Sequence, residues 1–262
     1  MHLAVDGLGI NLAILVRWLH VLFGILWVGH LYFFNFVNAN FAPTMDAETK
    51  KKVVPELMPR ALYWFRWGAA FTWVTGLLLA GLVYYMKSSL MWTADVVPDQ
   101  HWAAPTLVMV LVTWLGFLVY DQVFGRIKDQ RVSFGVGLVL VAAVLSAMAN
   151  WANWSFRGYT IHLAILFGTT MAFNVWFRIW PAQRQIITAI KSGTAPDAAL
   201  VALAGARSKH NTYMSVPLLF GMLGQHQTWA ATNEPWTFLA IVAIGWWLVF
   251  HLYMISKKVK GF

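Results

Sequence analysis

Apolar residues run along this chain in long blocks, separated by short polar stretches that are rich in Lys and Arg. A helix that crosses a bilayer needs about 20 mostly apolar residues. Seven blocks meet that length: about Leu12 to Val37, Ala61 to Met86, Ala104 to Phe124, Phe134 to Trp154, Tyr159 to Trp180, Asn211 to Trp229 and Trp236 to Ile255. The sixth is the weakest and has Pro217 inside it. The first is too long for a signal-peptide core, and no small-residue cleavage site follows it. The pattern predicts an all-α, polytopic bundle of seven transmembrane helices, forming one domain over residues 1–262.

The stretch Pro181 to His210 is not apolar enough to cross. It reads as a helix, a break at Ser192-Gly193-Thr194-Ala195-Pro196, and a second, interfacial helix that runs on towards span six. Thr194 is the expected N-cap, with Pro196 in the first turn. A plain loop is the alternative.

Composition agrees with burial in lipid. Hydrophobic residues make up 60% of the chain and charged residues 11%, whereas a soluble domain is about 25% charged. An ordinary soluble enzyme and a disordered chain are excluded. The cysteine count is zero, which removes covalent c-type haem, thiolate-held iron–sulfur and zinc sites, and a catalytic thiol.

The net charge of +9 takes its meaning from position. Lys50, Lys51, Lys52 and Arg60 follow span one, and Arg126, Lys128 and Arg131 follow span three. Arg178, Arg184, Lys191, Arg207 and Lys209 follow span five, and Lys257, Lys258 and Lys260 form the tail. These 15 cations fall on one side of a seven-span topology, and only Lys87 and Arg157 on the other. The positive-inside rule then puts the N-terminus outside and the C-terminus in the cytoplasm. The basic charge addresses loops and anionic headgroups; nucleic-acid binding does not follow from it.

Ionisable residues inside a membrane are functional candidates. Six of the eight histidines lie in or at the ends of spans. By depth they form two groups: His20, His162 and His226 in the outer half, and His30, His210 and His251 in the inner half. Histidines from different helices at one depth are what a b-type haem needs for its two axial nitrogens. His20, His162, His226 and His251 are therefore iron-ligand candidates, with His210 beside an inner site. His20 and His30 are about 15 Å apart along span one, a spacing for two stacked haems, but their ten-residue offset falls about 80° short of a full turn. A lone membrane histidine also commonly bonds a carbonyl on a neighbouring helix, and that reading stays open for each.

Arg17, a turn from His20, would face a haem propionate or a small anionic substrate, or else snorkel to the headgroups. Arg66 has the same two readings at the inner side. Asp121 is expected to partner Arg126. Trp92, Trp102, Trp151, Trp154, Trp180, Trp229 and Trp236 read as interfacial anchors, and Trp18, Trp27, Trp67, Trp73 and Trp114 as deeper packing. Gly24 and Gly29 would admit a close helix or a flat cofactor. No HExxH, GxSxG, Walker or GxGxxG motif occurs.

Several strings carry a family likeness. They are Arg17-Trp18-Leu19-His20 followed by Gly24-Ile25-Leu26-Trp27-Val28-Gly29, Pro59-Arg60-Ala61-Leu62-Tyr63-Trp64-Phe65-Arg66-Trp67-Gly68-Ala69, and Val119-Tyr120-Asp121. His162 with Gly168-Thr169-Thr170-Met171, and Asn174 with Ile179-Trp180-Pro181-Ala182-Gln183-Arg184, continue the series. The most distinctive is Lys209-His210-Asn211-Thr212-Tyr213-Met214-Ser215-Val216-Pro217, with His226 beyond it. In these strings the chain resembles the membrane domain of the bacterial cytochrome c-linked urate oxidase family.

The resemblance implies an oxidoreductase of the bacterial inner membrane that takes urate towards 5-hydroxyisourate. It also implies electron exit through a cytochrome c domain that follows the membrane domain in the same chain. His20, His162, His210, His226 and His251 match the family's histidines by position. This chain stops at Phe262 after span seven, so the expectation is a separate c-type cytochrome as electron acceptor, with one or two haems b. The alternative is a non-catalytic electron-transfer or structural subunit of a larger respiratory or photosynthetic membrane complex.

Overall fold

The computed structural model describes residues 2–86, 90–127, 129–224 and 234–260, with side chains from residue 11 on, Asp99 excepted. It is all-α. Helix α1 (His2–Tyr32) runs through a π-helical turn, Phe33–Asn38, into a single turn, α2 (Ala39–Phe41). Helix α3 (Ala47–Leu79) ends in a second π turn, Ala80–Tyr85. Helices α4 (Ala104–Arg126) and α5 (Gln130–Ser146) follow, the latter closing in a π turn at Ala147–Trp151. Helix α6 (Phe156–Asn174) passes through a fourth π turn, Val175–Ile179, into α7 (Trp180–Ser192). Helices α8 (Ala198–Gly224) and α9 (Pro235–Ser256) complete the chain. Among the described residues there is no strand, only one isolated bridge between Trp92 and Trp154.

Among the described residues, six stretches are long and apolar enough to cross a membrane: Asn11–Thr44, Ala47–Tyr85, Ala104–Arg126, Gln130–Trp151, Phe156–Ser192 and Pro235–Ser256. The expected span six is described only in part. Its described part belongs to α8, whose first half carries Arg207, Lys209 and His210, and residues 225–233 lie outside the described residues. The expected interfacial helix and the start of span six are thus one rod. At 39 and 37 residues, Ala47–Tyr85 and Phe156–Ser192 exceed the length a bilayer core needs. Their basic ends, Lys50 to Arg60 and Arg184 to Lys191, are the parts left to water.

The break between α7 and α8 falls where expected, but its chemistry differs. Gly193 takes the left-handed φ of 75° that closes α7. The Thr194 hydroxyl donates back to the Ala189 carbonyl at 3.1 Å. The N-cap of α8 is Asp197, whose carboxylate accepts from Ala199 N–H at 2.8 Å. Asp46 starts α3 in the same way, accepting from the N–H and hydroxyl of Thr49 at 2.8 and 2.9 Å. Those bonds hold the Asp46 carboxyl below the usual carboxylate range. Arg126 bonds the carbonyl and the side-chain oxygen of Gln122, one turn back.

The chain forms two compact units. One comprises Met1–Arg17, Gly76–Thr170 and Val216–Trp246; the other comprises Trp18–Thr75, Met171–Ser215 and Trp247–Phe262. In the first, Trp154, Leu163 and Phe238 are fully enclosed. Gly221 lets α8 approach α6, where an added Cβ would meet Ala164 Cβ at 2.7 Å. In the second, Gly68 does the same for α1 and α3: a Cβ there would stand 3.0 Å from the Trp27 amide nitrogen. Gly24 and Gly29, by contrast, face open space, so the close helix–helix approach at α1 is made at Gly68 of α3.

The surface is apolar as a lipid-facing surface must be. Trp18, Ile25 and Ile244 are each more than 60% exposed, while Thr113, Thr160, Asn211, Thr212 and Ser215 are buried. The most apolar stretch of Phe156–Ser192 is 72% buried, against 11% for Ala104–Arg126, so the former is enclosed and the latter is largely exposed. Trp27 is buried and Trp102, Trp151 and Trp236 are exposed, as expected, but other tryptophans sort otherwise. Trp154 and Trp92 are core residues, while Trp18 faces outward.

Candidate functional site

His162 is the most enclosed of the described histidines. It lies on α6 with no exposed surface. Its Nδ1–H donates to the Gly158 carbonyl one turn back, at 2.7 Å. That fixes the tautomer and leaves Nε2 as an acceptor. Tyr85 O–H fills that position at 3.2 Å, and Trp114 Nε1–H donates to the Tyr85 oxygen at 2.9 Å. The Trp154 ring covers His162 at 4.3 Å, and Tyr84 and Tyr85 flank it at 5.9 and 5.6 Å. Trp92 and Trp154 both donate to the Thr106 hydroxyl, and His101 stacks flat on Trp92 at 4.2 Å. An aromatic box thus encloses one imidazole, and the π turn at Ala80–Tyr85 supplies two of its walls.

His20 is half-buried and donates Nδ1–H to Thr75 Oγ1 at 3.1 Å. The direction follows because Thr75's own hydroxyl donates to the Phe71 carbonyl at 2.6 Å. Nε2 of His20 therefore carries the lone pair. Arg17 is exposed on the same helix. His30 turns back on its own helix, with Nδ1–H to the Leu26 carbonyl at 2.6 Å.

The second unit also holds a polar network. Tyr253 O–H donates to Asn35 Oδ1 at 2.8 Å, and Asn35 Nδ2 donates to Ser208 Oγ at 2.8 Å and to the Leu31 carbonyl at 2.9 Å. Asn174 donates to Asn211 Oδ1 at 2.8 Å, and Asn211 to the Met171 carbonyl at 2.9 Å. Ser215 Oγ–H goes to the Thr212 carbonyl, so Tyr32 O–H donates to Ser215 at 3.0 Å. Lys209 lies over the Tyr253 ring at 5.8 Å, with half-buried His210 next in sequence and Arg207 3% exposed a turn earlier. His251 is exposed and stacks on Trp247 at 5.7 Å. His226 lies outside the described residues.

Haem b requires an imidazole lone pair that no protein group already fills. His162 does not meet that condition as arranged, since Tyr85 O–H occupies Nε2. His20 comes nearer to it: its Nδ1–H is anchored on Thr75, which is how iron-bound imidazoles are steadied, and the lone pair is then on Nε2. Among the described residues no three His, Asp or Glu side chains gather to hold a metal ion. Hydropathy and depth pointed to His162 and His20; Tyr85 and Thr75, the side chains that bond their rings, were not singled out. The signal available for Tyr85 was a tyrosine pair at the end of an apolar run.

These features define a multi-pass, all-helical membrane protein. Its family follows from the sequence: residues 47–261 fit the model of the urate oxidase N-terminal family, and the chain belongs to it. His162, His210, His226 and His251 fall within the matched residues, and Arg17 and His20 precede them. No curated protein and no solved structure matches the chain significantly.

Proposed function

We propose that this chain is a haem-b-containing redox protein of the bacterial inner membrane, with its N-terminus outside. It takes electrons from urate or a similar small substrate and passes them to a separate c-type cytochrome. The observation that carries this reading is the urate oxidase N-terminal match over residues 47–261 of a helical membrane protein. The chemistry balances as urate plus water giving 5-hydroxyisourate, two protons and two electrons. Two one-electron acceptors are then needed per turnover. Haem, when bound, supplies one-electron steps between a two-electron donor and such acceptors. His20 would hold it through Nε2, and Arg17 on the same helix would serve a propionate or the anionic substrate.

The test is a reduced-minus-oxidised spectrum of the purified protein, followed by urate-dependent reduction of added c-type cytochrome. Haem bands and urate-driven reduction are the expected results. Absence of haem bands would sink the cofactor assignment. Haem without urate-driven reduction would sink the substrate. His20→Ala should lower haem content, and full retention would remove His20 as a ligand.

A further inference from the structure

Arg66 is a cation inside an apolar stretch, and its surroundings are complete except for an anion. Its guanidinium carbon lies 4.0 Å from the centre of the Trp180 ring and 5.4 Å from that of Trp176. Trp176 Nε1–H donates to the Arg66 carbonyl at 3.1 Å, and Trp67 meets Trp176 edge-on at 5.4 Å. The Trp176 side of the clamp is therefore pinned. Yet Nε of Arg66 is buried without a hydrogen-bond partner, and no carboxylate among the described residues pairs with the side chain. Indoles that cover the face of a guanidinium leave its N–H edge for a planar or tetrahedral oxyanion.

Position identifies the anion. Leu62, Phe65 and Ala69 form the buried face of α3, and Tyr63, Trp64 and Trp67 its exposed face. Arg66 is half-buried at the border between them. Exposed Tyr and Trp rings mark the headgroup level of a bilayer. Side chains on a helix lean towards its N-terminus, and here that is the end carrying Lys50, Lys51 and Lys52. The guanidinium is also nearer Trp180 than Trp176, the ring closer to the polar α7. We propose that Arg66, clamped by Trp176 and Trp180, is a binding site for the phosphate of an anionic glycerophospholipid at the basic end of α3. The site is independent of the redox reading and stands or falls without it.

The test uses the full chain purified in detergent, titrated with phosphatidylglycerol and followed by thermal shift and native mass spectrometry. Wild type should gain stability and retain the lipid, and phosphatidylcholine should do so at least about tenfold more weakly. Arg66→Gln should abolish both effects. Arg66→Lys keeps the charge but loses the fork and the flat stack, so its affinity should fall about fivefold; this variant decides the matter if Arg66→Gln does not fold. Undiminished phosphatidylglycerol binding by either variant overturns the proposal. So does an equal, Arg66-dependent shift with inorganic phosphate or with urate alone, which would make the site one for a free anion.

Discussion

Replacing Tyr85 by Phe removes one oxygen that two buried nitrogens share. His162 Nε2 loses its donor and Trp114 Nε1 loses its acceptor. An unsatisfied buried polar group costs about 1–3 kcal/mol, so Tyr85→Phe should lower stability by about 2 kcal/mol in a denaturation series, with a shift in tryptophan emission. An unchanged midpoint would mean that the pair contributes nothing. At this scale the sequence was partly legible. An imidazole in lipid must be satisfied, and that marks His162 and His20 from composition alone. Which group satisfies it depends on side chains 55 and 77 positions away, Thr75 for His20 and Tyr85 for His162, and no local pattern reports that. Trp154 went astray for the same reason: it lies next to a loop in sequence but is 1% exposed because it roofs His162.

The helices themselves were the most legible element, because an apolar run of bilayer length has few other structural outcomes. Their ends were less so. Thr194 was the expected cap of α8, but its hydroxyl is used by the end of α7, and a carboxylate three residues on does the capping. Asp197→Ala should therefore lower stability by about 1 kcal/mol, while Thr194→Ala should cost less; thermal melts of the two variants compare them. A larger loss from Thr194→Ala would restore the original assignment. Gly68 is the other element-scale determinant. Gly68→Leu puts carbon into the Trp27 backbone and should cost about 1–3 kcal/mol or more as α1 is pushed off α3. Gly24→Leu faces open space and should be nearly neutral in the same assay. The π turns left no sequence signal, since they change the hydrogen-bond register without requiring a particular residue.

For the molecule as a whole, the charge distribution makes a prediction that the missing cysteines make easy to check. With no native thiol, single cysteines can be introduced without background. Cysteine at Arg131 or Lys257 should react with a membrane-impermeant maleimide only in inverted vesicles, and cysteine at Trp102 only in intact cells stripped of the outer membrane. The reverse pattern would invert the topology and move every depth assigned to a histidine. The all-α architecture was legible because 60% apolar residues leave few alternatives. The lateral pairing of helices was not, because in lipid it rests on small residues and single hydrogen bonds instead of a hydrophobic stripe.

The π turn at Ala80–Tyr85 has a consequence for how such chains diverge. A π turn is an α-helix carrying a surplus residue. Deleting one residue there would let ordinary winding resume and swing the remaining tyrosine about 100° around the axis. Length, hydropathy profile and family membership would scarcely change, yet the imidazole of His162 would lose its donor. A single-codon deletion between Ala80 and Tyr85 would thus be enough to dismantle the aromatic box.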